Sequence, residues 1–215
     1  MSISRHDFIL DFETFGQSAL KCPGIDVSYY TFDWGRFLDN PYSFEELNDL
    51  IVKDKLSVED QVKNHGCSFT KEDMKFWSLQ SKEVQKNIQP LSTDLTLSQF
   101  FDKFILYLRQ SPKIEYWWSR SNTFDPVILD RLAISDGRNF LVGEYIKFWR
   151  VRDMRTHIDT QFNWTNVRNG FIPIANEEYW NEKFRAHDST HDVAADILRI
   201  QAMHRAQNDY DQVEK

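Results

Sequence analysis

The segment that most constrains this chain is residues 8–14 (FILDFET), where an apolar run leads directly into two carboxylates. An uninterrupted run of this kind is typical of a buried β-strand. Side chains alternate between the two faces of a strand, so Asp11 and Glu13 share one face, about 6–7 Å apart. Two buried acids at this spacing repel each other unless a cation compensates them. We therefore expect a divalent metal such as Mg²⁺ or Mn²⁺ beside this strand, because hard cations take oxygen ligands.

Length and composition predict a single domain over residues 1–215. Apolar residues make up 41% of the chain and aromatic residues 15%, which is enough for a sizeable core. Cys22 and Cys67 are isolated and show no CxxC spacing, which argues against a zinc site and favours a reducing compartment. Arg5, His6 and Asp7 interrupt any apolar leader, and no run approaches the ~20 apolar residues of a membrane span. We expect a soluble cytoplasmic protein with no membrane partner.

The net charge of −7 limits the nucleic-acid partners that this chain can have. Proteins that coat long duplexes usually present a basic face. Any contact with nucleic acid should therefore be short and local, with bound metal ions supplying much of the positive charge.

The hydrophobic pattern alternates between strands and helices, which predicts a layered α/β domain with a mixed sheet. We expect the second strand, residues 26–33, to form a hairpin with the first. A third strand is expected within residues 44–62, where the periodicity is ambiguous. A capping box at Thr70 and a cap at Asp153 each predict the start of a helix. Further strands are predicted at 114–119 and 145–150, and further helices at 81–88, 95–108, 124–134 and 190–206.

Two other places along the chain carry acids beside a predicted helix start. Asp125 precedes Pro126, which suits the first turn of a helix, so Asp125 is predicted to be the N-cap. Asp125 can act both as the N-cap and as a metal ligand.

The segment His187-Asp-Ser-Thr-His-Asp192 allows several pairings. His187 and His191 are four residues apart, as are Asp188 and Asp192, so either pair shares a face of a continuous helix. His187 and Asp192 converge only if His187 lies in the preceding loop and Asp192 is helical. The spacing alone leaves these arrangements open.

These motifs in this order resemble those of the DEDDh group of DnaQ-like 3′→5′ exonucleases. The motifs are Asp11-Phe-Glu13, Phe124-Asp125, and His187 with four residues before Asp192. The resemblance is closest to the phage exonuclease A branch and extends to residues 76–88 (FWSLQSKEVQKNI), 152–156 (RDMRT) and 186–192 (AHDSTHD). It covers almost the whole chain and suggests a phage origin.

The resemblance implies an RNase H-like fold, with a central mixed sheet flanked by helices, and a site for two divalent ions, Mg²⁺ or Mn²⁺. It implies that His187 is the general base and that Asp11 bridges the two metals. The metal ligands it implies are Asp11, Glu13, Asp125 and Asp192. Two metals about 3.5–4 Å apart suit phosphodiester hydrolysis, and a histidine near its ordinary pKa can accept a proton from water.

The implied substrate is the 3′ end of DNA, single-stranded or in a frayed duplex, with RNA as a possible substrate. Relatives place the backbone after the first acidic pair near the terminal nucleotide, which nominates Thr14 and Phe15 as substrate contacts. Phe15 is equally compatible with a role in the core.

The sequence also predicts the roles of several polar and aromatic residues near these motifs. Asp188 and His191 are expected to cap or support the start of the last helix. Ser121 stands where many relatives have Asn, so no ligand role is assigned to Asn122. Arg120, near the loop of the second motif, is expected to be a solvated surface residue, with a contact to substrate phosphate as the alternative. Three tryptophans, Trp77, Trp117 and Trp118, are expected in the core.

Features of the sequence also suggest three other functions. An exoribonuclease or short-oligonucleotide hydrolase on the same fold differs in how it accommodates the ribose 2′-OH, which the sequence does not reveal. The two His-Asp doublets suggest an HD-domain phosphohydrolase, but the predicted strands argue against an all-helical chain. A binding module on a degenerate nuclease fold would lack a ligand, whereas all five expected positions are filled.

Overall fold

The computed structural model describes residues 5–139, 141–145, 147–161 and 184–213, with the backbone alone at 142–143 and 208–213. Within these residues, five strands form one sheet in the order β3-β2-β1-β4-β5. The pair β1–β2 and the pair β2–β3 are antiparallel, whereas β4 is parallel to both β1 and β5. The strands are β1 (His6–Thr14), β2 (Gly24–Asp33), β3 (Val52–Lys55), β4 (Ile114–Ser119) and β5 (Val151–Asp153). The predicted mixed sheet, and the hairpin of its first two strands, are confirmed.

Helices cover both faces of this sheet. They are α1 (Arg36–Asp39), α2 (Phe44–Leu50), α3 (Val58–Asn64), α4 (Lys71–Ser78), α5 (Lys82–Asn87), α6 (Leu97–Gln110), α7 (Asp125–Ser135), α8 (Leu141–Glu144), α9 (Met154–Gln161) and α10 (Ser189–Val213). Among the described residues, no helix combines the length and the apolar character that a membrane span requires.

The central strand β1 separates two hydrophobic cores. Phe8 and Leu10 pack with α6 and α7 on one face, and Ile9 packs with α10 and α2 on the other. Trp117 and Trp118 of β4 divide between the same two cores, and both are buried, as the sequence predicts. This alternation follows from the two-residue period of a strand. It sends the side chains of odd-numbered β1 residues toward α10.

Capping side chains define the helix starts that the sequence predicts. The Thr70 hydroxyl accepts a hydrogen bond from the Asp73 N–H, and the Asp73 carboxylate accepts one from the Thr70 N–H. The Asp153 carboxylate accepts a hydrogen bond of 2.8 Å from the N–H of Thr156 at the start of α9. Both predicted caps are confirmed, because each satisfies backbone donors that the first helical turn leaves unpaired.

The strand predicted at residues 145–150 is wrong. Phe148–Arg150 forms a 3₁₀ turn, and the strand begins after it, at Val151. Phe148 and Trp149 are exposed, so this aromatic stretch does not join the sheet as its composition suggested. In the ambiguous stretch 44–62, the expected strand is β3, and the residues on either side of it form α2 and α3.

The start of β2 is fixed by a buried glutamine. Gln61 of α3 accepts a hydrogen bond of 2.8 Å from the Gly24 N–H and donates one of 2.7 Å to the Gly24 carbonyl. The Gln61 side chain is fully buried. A single side chain therefore satisfies both backbone groups of Gly24, two residues before Asp26.

We expect Gln61→Leu to lower the free energy of unfolding by about 2–4 kcal/mol, because it leaves a buried donor and a buried acceptor unpaired. Urea denaturation measures this change. Gln110→Leu is the matched control, since Gln110 is exposed at the end of α6 and its loss should cost less than about 0.5 kcal/mol. Equal destabilisation by the two substitutions would contradict this account.

Candidate active site

Asp11 and Glu13 lie near the end of β1, between β2 and β4 in the centre of the sheet. Both project from the face that α10 covers, where they meet Asp192 of that helix. One carboxylate oxygen from each of the three residues lies within 4.8 Å of the other two. The strand alternation inferred from residues 8–14 therefore places both acids on one face, next to the third motif.

Asp125 reaches the same place from the opposite layer. It is the first residue of α7, after β4, and its Oδ1 accepts a hydrogen bond of 3.1 Å from the Phe12 N–H. The prediction that Asp125 is the N-cap is wrong: Phe124 holds that position, and no side chain caps the helix. The carboxylate is directed to the backbone of β1 instead of to its own helix, which places it beside Asp11.

The segment 187–192 divides between a turn and a helix. His187 precedes α10 and has a φ of +64°, the left-handed conformation that non-glycine residues rarely adopt. Asp192 lies in the first turn of α10, where its N–H donates to the Asp188 carbonyl at 3.0 Å. Of the arrangements that the sequence allowed, the structure has His187 in the loop and Asp192 in the helix. The imidazole lies edge-on to Phe76, with 5.2 Å between ring centroids.

A polar network anchors the start of α10 to the sheet. The Lys53 ammonium of β3 lies 2.8 Å from an Asp188 oxygen and 3.5 Å from an Asp26 oxygen. The Ser28 hydroxyl lies 2.7 Å from the Ser189 hydroxyl. The Asp188 carboxylate also accepts a hydrogen bond from the Thr190 N–H, which confirms its predicted capping role. These bonds fix the backbone directly after the turn that carries His187.

His191 supports the same segment from its buried side. Its Nδ1 accepts a hydrogen bond of 2.9 Å from the Arg185 N–H, and its ring lies edge-on to Phe44 at 5.0 Å. The prediction that His191 supports the helix start is thus confirmed by its contacts.

Removal from water raises the pKa of four carboxyl groups in this site, those of Asp11, Glu13, Asp125 and Asp192. Burial is the largest cause for Asp11, and the charges of Asp125, Asp192 and Glu13 raise its pKa further. For Glu13, burial and the charge of Asp192 raise the pKa well above its ordinary value. Burial raises the pKa of Asp125 to about 7 and that of Asp192 to about 7. Without compensating cations, these carboxylates therefore hold protons near neutral pH.

A fifth acid lies one helical turn behind Asp192. Asp196 is buried between two arginines, with Arg199 Nη1 at 2.6 Å and Arg120 Nε at 3.4 Å. The prediction that Arg120 is a solvated surface residue is wrong, because its side chain is only 12% exposed and lines the site. The i, i+4 spacing of Asp192 and Asp196 was the sequence signal for this acid.

All five predicted catalytic residues line one open cleft of about 640 Å³. Arg155, from the first turn of α9, also lines the cleft, and its charge lowers the pKa of Asp125. Neither Arg155 nor Gln17, which also lines the cleft, was singled out from the sequence. Arg155 belongs to the motif at residues 152–156, but no sequence pattern indicates that its side chain faces a cleft.

A second cavity of about 590 Å³, here called the groove, adjoins the cleft. Glu13, Arg155 and His187 line both. Thr14 lines this groove, where its carbonyl accepts a hydrogen bond of 3.1 Å from Trp77 Nε1. Phe15 is half-buried and stacks on Phe69, with 5.2 Å between ring centroids. Of the two predicted substrate contacts, Thr14 thus borders the open space, and Phe15 packs against neighbouring rings.

Over most of its length, the chain is similar to a known protein family and to a phage protein. Residues 6–195 match the family described as "3′-5′ exoribonuclease Rv2179c-like domain". A protein named exodeoxyribonuclease, from Enterobacteria phage T4, is 32% identical over 210 residues, which cover 90% of this chain and 87% of that protein.

Solved structures show the same fold at low sequence identity. The zinc-bound complex of E. coli ExoI with single-stranded DNA has a TM-score of 0.60 and 13% identity, covering 95% of this chain. Cell-death related nuclease 4 (CRN-4) has a TM-score of 0.57 and 17% identity, covering 94% of this chain and 64% of that one. The chain spans 41% of the E. coli exonuclease I chain.

The neighbours establish the RNase H-like fold that the motifs implied. The length of the family match and the identity to the phage protein establish membership. The chain therefore belongs to the Rv2179c-like family of 3′-5′ exonuclease domains.

Proposed function

We propose that this chain is a metal-dependent 3′→5′ exodeoxyribonuclease that releases 5′-phosphomononucleotides from the 3′ ends of DNA. The observation that carries the proposal is the convergence of four acids and one histidine, from three separate parts of the chain, in one open cleft. DNA is favoured because the relative that matches nearly the whole chain is named an exodeoxyribonuclease. Structural neighbours in complex with single-stranded DNA support a single strand or a frayed end as the substrate.

The second candidate is a 3′→5′ exoribonuclease on the same fold. The observation that favours it is the description of the matching family, which names exoribonuclease activity. Both candidates share the hydrolytic site and differ in the sugar that it accepts.

The acids fit a pair of divalent ions. We propose Asp11, Glu13, Asp125 and Asp192 as the ligands of two Mg²⁺ or Mn²⁺ ions, because these cations prefer carboxylate oxygens. Three of these acids bring oxygens within 4.8 Å of one another, and burial makes that charge costly without a cation. When bound, such ions would stabilise the negative charge that develops on the phosphate during hydrolysis.

His187 is proposed as the general base. Burial lowers its pKa below the ordinary value, so the imidazole is neutral at pH 7 and can accept a proton from the attacking water. His187 lines both the cleft, together with the four acids, and the adjoining groove, so it borders the space in which a phosphate bound to the acids would lie. The contacts that fix the start of α10 also fix the turn at residue 187, and so hold the His187 ring in the cleft.

We propose that the adjoining groove holds the terminal nucleotide. Thr14 lines its wall directly, and Phe15 supports that wall from behind through its contacts with Phe69 and Trp77. Arg155, on the boundary of both cavities, is positioned to meet substrate phosphate. Positive charge at this boundary fits a substrate whose phosphate lies between the metal ligands and the groove.

We also propose that residues 1–215 form one domain and act in the cytoplasm, which is the host cytoplasm if the chain is of phage origin. The two cores share a single sheet, which supports one domain. Cys22 and Cys67 are both free and buried, which is compatible with a reducing compartment.

An end-labelled nuclease assay tests the function. With Mn²⁺, we expect stepwise shortening of a single-stranded DNA oligonucleotide from its 3′ end, and little shortening of the RNA of the same sequence. EDTA should abolish the activity, and Asp11→Asn should lower it by about 10³-fold, the loss expected when charge stabilisation worth several kcal/mol disappears.

Asp102→Asn is the matched control, because Asp102 lies on the exposed side of α6, paired with Arg138. It should leave the rate unchanged. Preferential trimming of RNA would favour the second candidate. Activity that survives both EDTA and Asp11→Asn would overturn the proposal.

A second test concerns the base. We expect His187→Ala to lower kcat by about 10²–10⁴-fold at pH 7.5, while Mn²⁺ still binds. At saturating Mn²⁺ the wild type should lose activity as pH falls through a pKa below 6.5, because the lowered pKa of His187 keeps it unprotonated down to that pH. That acidic limb should disappear in the variant. His65→Ala, which changes a histidine beside Ser135, is the control; an unchanged pH profile in His187→Ala would show that another group is the base.

A further inference from the structure

A second surface, away from the cleft, combines exposed aromatic rings with positive charge. Phe148 is 73% exposed and Trp149 is 59% exposed. Their rings lie edge to face, with 4.9 Å between centroids. They lie within the sequence KFWRVR, residues 147–152, in which cationic residues flank the ring pair. Two large exposed rings side by side are unusual on a soluble surface and indicate a binding role.

A pocket of about 370 Å³ lies beside these rings, between the end of α6 and the start of β4. Lys113, Lys147 and Arg150 line it, and no acid is among its lining residues in the described part of the chain. By contrast, four acids line the catalytic cleft. In a chain of net charge −7, this concentration of cations marks the pocket as a place for an anion.

Ion pairs and hydrogen bonds hold this surface in place. Glu115 pairs with two of its cations, at 2.6 Å from Lys113 and 2.7 Å from Arg150. Arg152 lies over the ring of Tyr116 at 4.2 Å and donates a hydrogen bond of 2.8 Å to the Trp149 carbonyl. The 3₁₀ turn that presents the two rings is therefore braced against β4.

The surface and the cleft lie at opposite ends of the same two strands. Lys113 precedes β4, whereas Arg120 follows it and lines the cleft. Arg150 precedes β5, and Arg155 lies just beyond its other end. The six residues of β4 span about 20 Å. At about 3.4 Å per nucleotide, this length corresponds to about six stacked nucleotides.

We propose that this aromatic–basic patch (Lys113, Lys147, Phe148, Trp149 and Arg150) binds the single-stranded nucleic acid upstream of the 3′ end that is being cut. Non-specific single-strand sites combine cations along the backbone with aromatic rings on which bases stack. The patch offers both features, at the ends of β4 and β5 opposite to the cleft. The inference rests on the proposed exonuclease function and adds a second contact for the same strand.

The test compares a trinucleotide, which is too short to reach the patch, with a 12-nucleotide single strand. We expect the double variant Phe148→Ala/Trp149→Ala to raise KM for the 12-mer by about tenfold, the loss expected for one stacked base. KM for the trinucleotide and kcat for both substrates should change less than twofold. The control is Leu91→Ala/Leu106→Ala, two apolar side chains exposed elsewhere to a similar degree.

Two binding measurements do not require cleavage and so separate this inference from the proposed function. With EDTA present, the fluorescence of Trp149 should be quenched by the 12-mer but not by the trinucleotide, and Trp149→Phe should remove that quenching. Lys113→Gln/Lys147→Gln should reduce the slope of log Kd against log salt for the 12-mer by about 0.7 for each lost phosphate contact. Equal effects on both lengths, or no effect on the 12-mer, would overturn the inference, and would leave the patch as a surface for another kind of partner.

Discussion

Repulsion between closely spaced carboxylates, two of them buried and two half-buried, is the constraint on which the rest of this structure depends. Asp11, Glu13, Asp125 and Asp192 are enclosed together, and each is disfavoured as an anion by its removal from water. Such a cluster persists because the fold is stabilised elsewhere, in two large hydrophobic cores on either side of β1. The protein thus holds acids in a geometry that protons or cations relieve, as the proposed metal-dependent hydrolysis requires.

Each acid that we propose as a metal ligand lies on an element with its own anchoring contacts. The central strand fixes Asp11 and Glu13, and the Phe12 N–H holds the Asp125 carboxylate against that strand. The Lys53–Asp188 ion pair and the serine contacts tie the start of α10 to β2 and β3, so the His187 turn and Asp192 move with the sheet. Asp196 and its two arginines place positive charge behind the acids, and the charges of Arg120 and Arg199 oppose the rise in the pKa of Asp192. Hydrogen bonds and ion pairs around the cleft therefore hold the four acids in place against their mutual repulsion.

The local rules that predicted this site concern residues near one another in the chain. Alternation in a strand placed Asp11 with Glu13, whereas the spacing within residues 187–192 left several pairings open. The contacts that complete the site are remote in sequence: Lys53 meets Asp188, 135 positions away, and no periodicity indicates that pair. The same limit explains the errors at Asp125, whose partner is on β1, and at residues 145–150, where aromatic residues lie outside the sheet. Family resemblance, and not local pattern, united the three motifs.

The measurement that tests the central claim most directly is the proton release on Mn²⁺ binding, determined by titration calorimetry in buffers of different ionisation enthalpy. The pKa values near 7 of Asp125 and Asp192 mean that the metal-free protein carries protons in the cleft at pH 6, and cations must displace them. We predict two bound ions, with protons released at pH 6 and progressively fewer toward pH 8.5, and loss of that release in Asp11→Asn. Binding with no proton release at pH 6, or release that survives Asp11→Asn, would contradict the account.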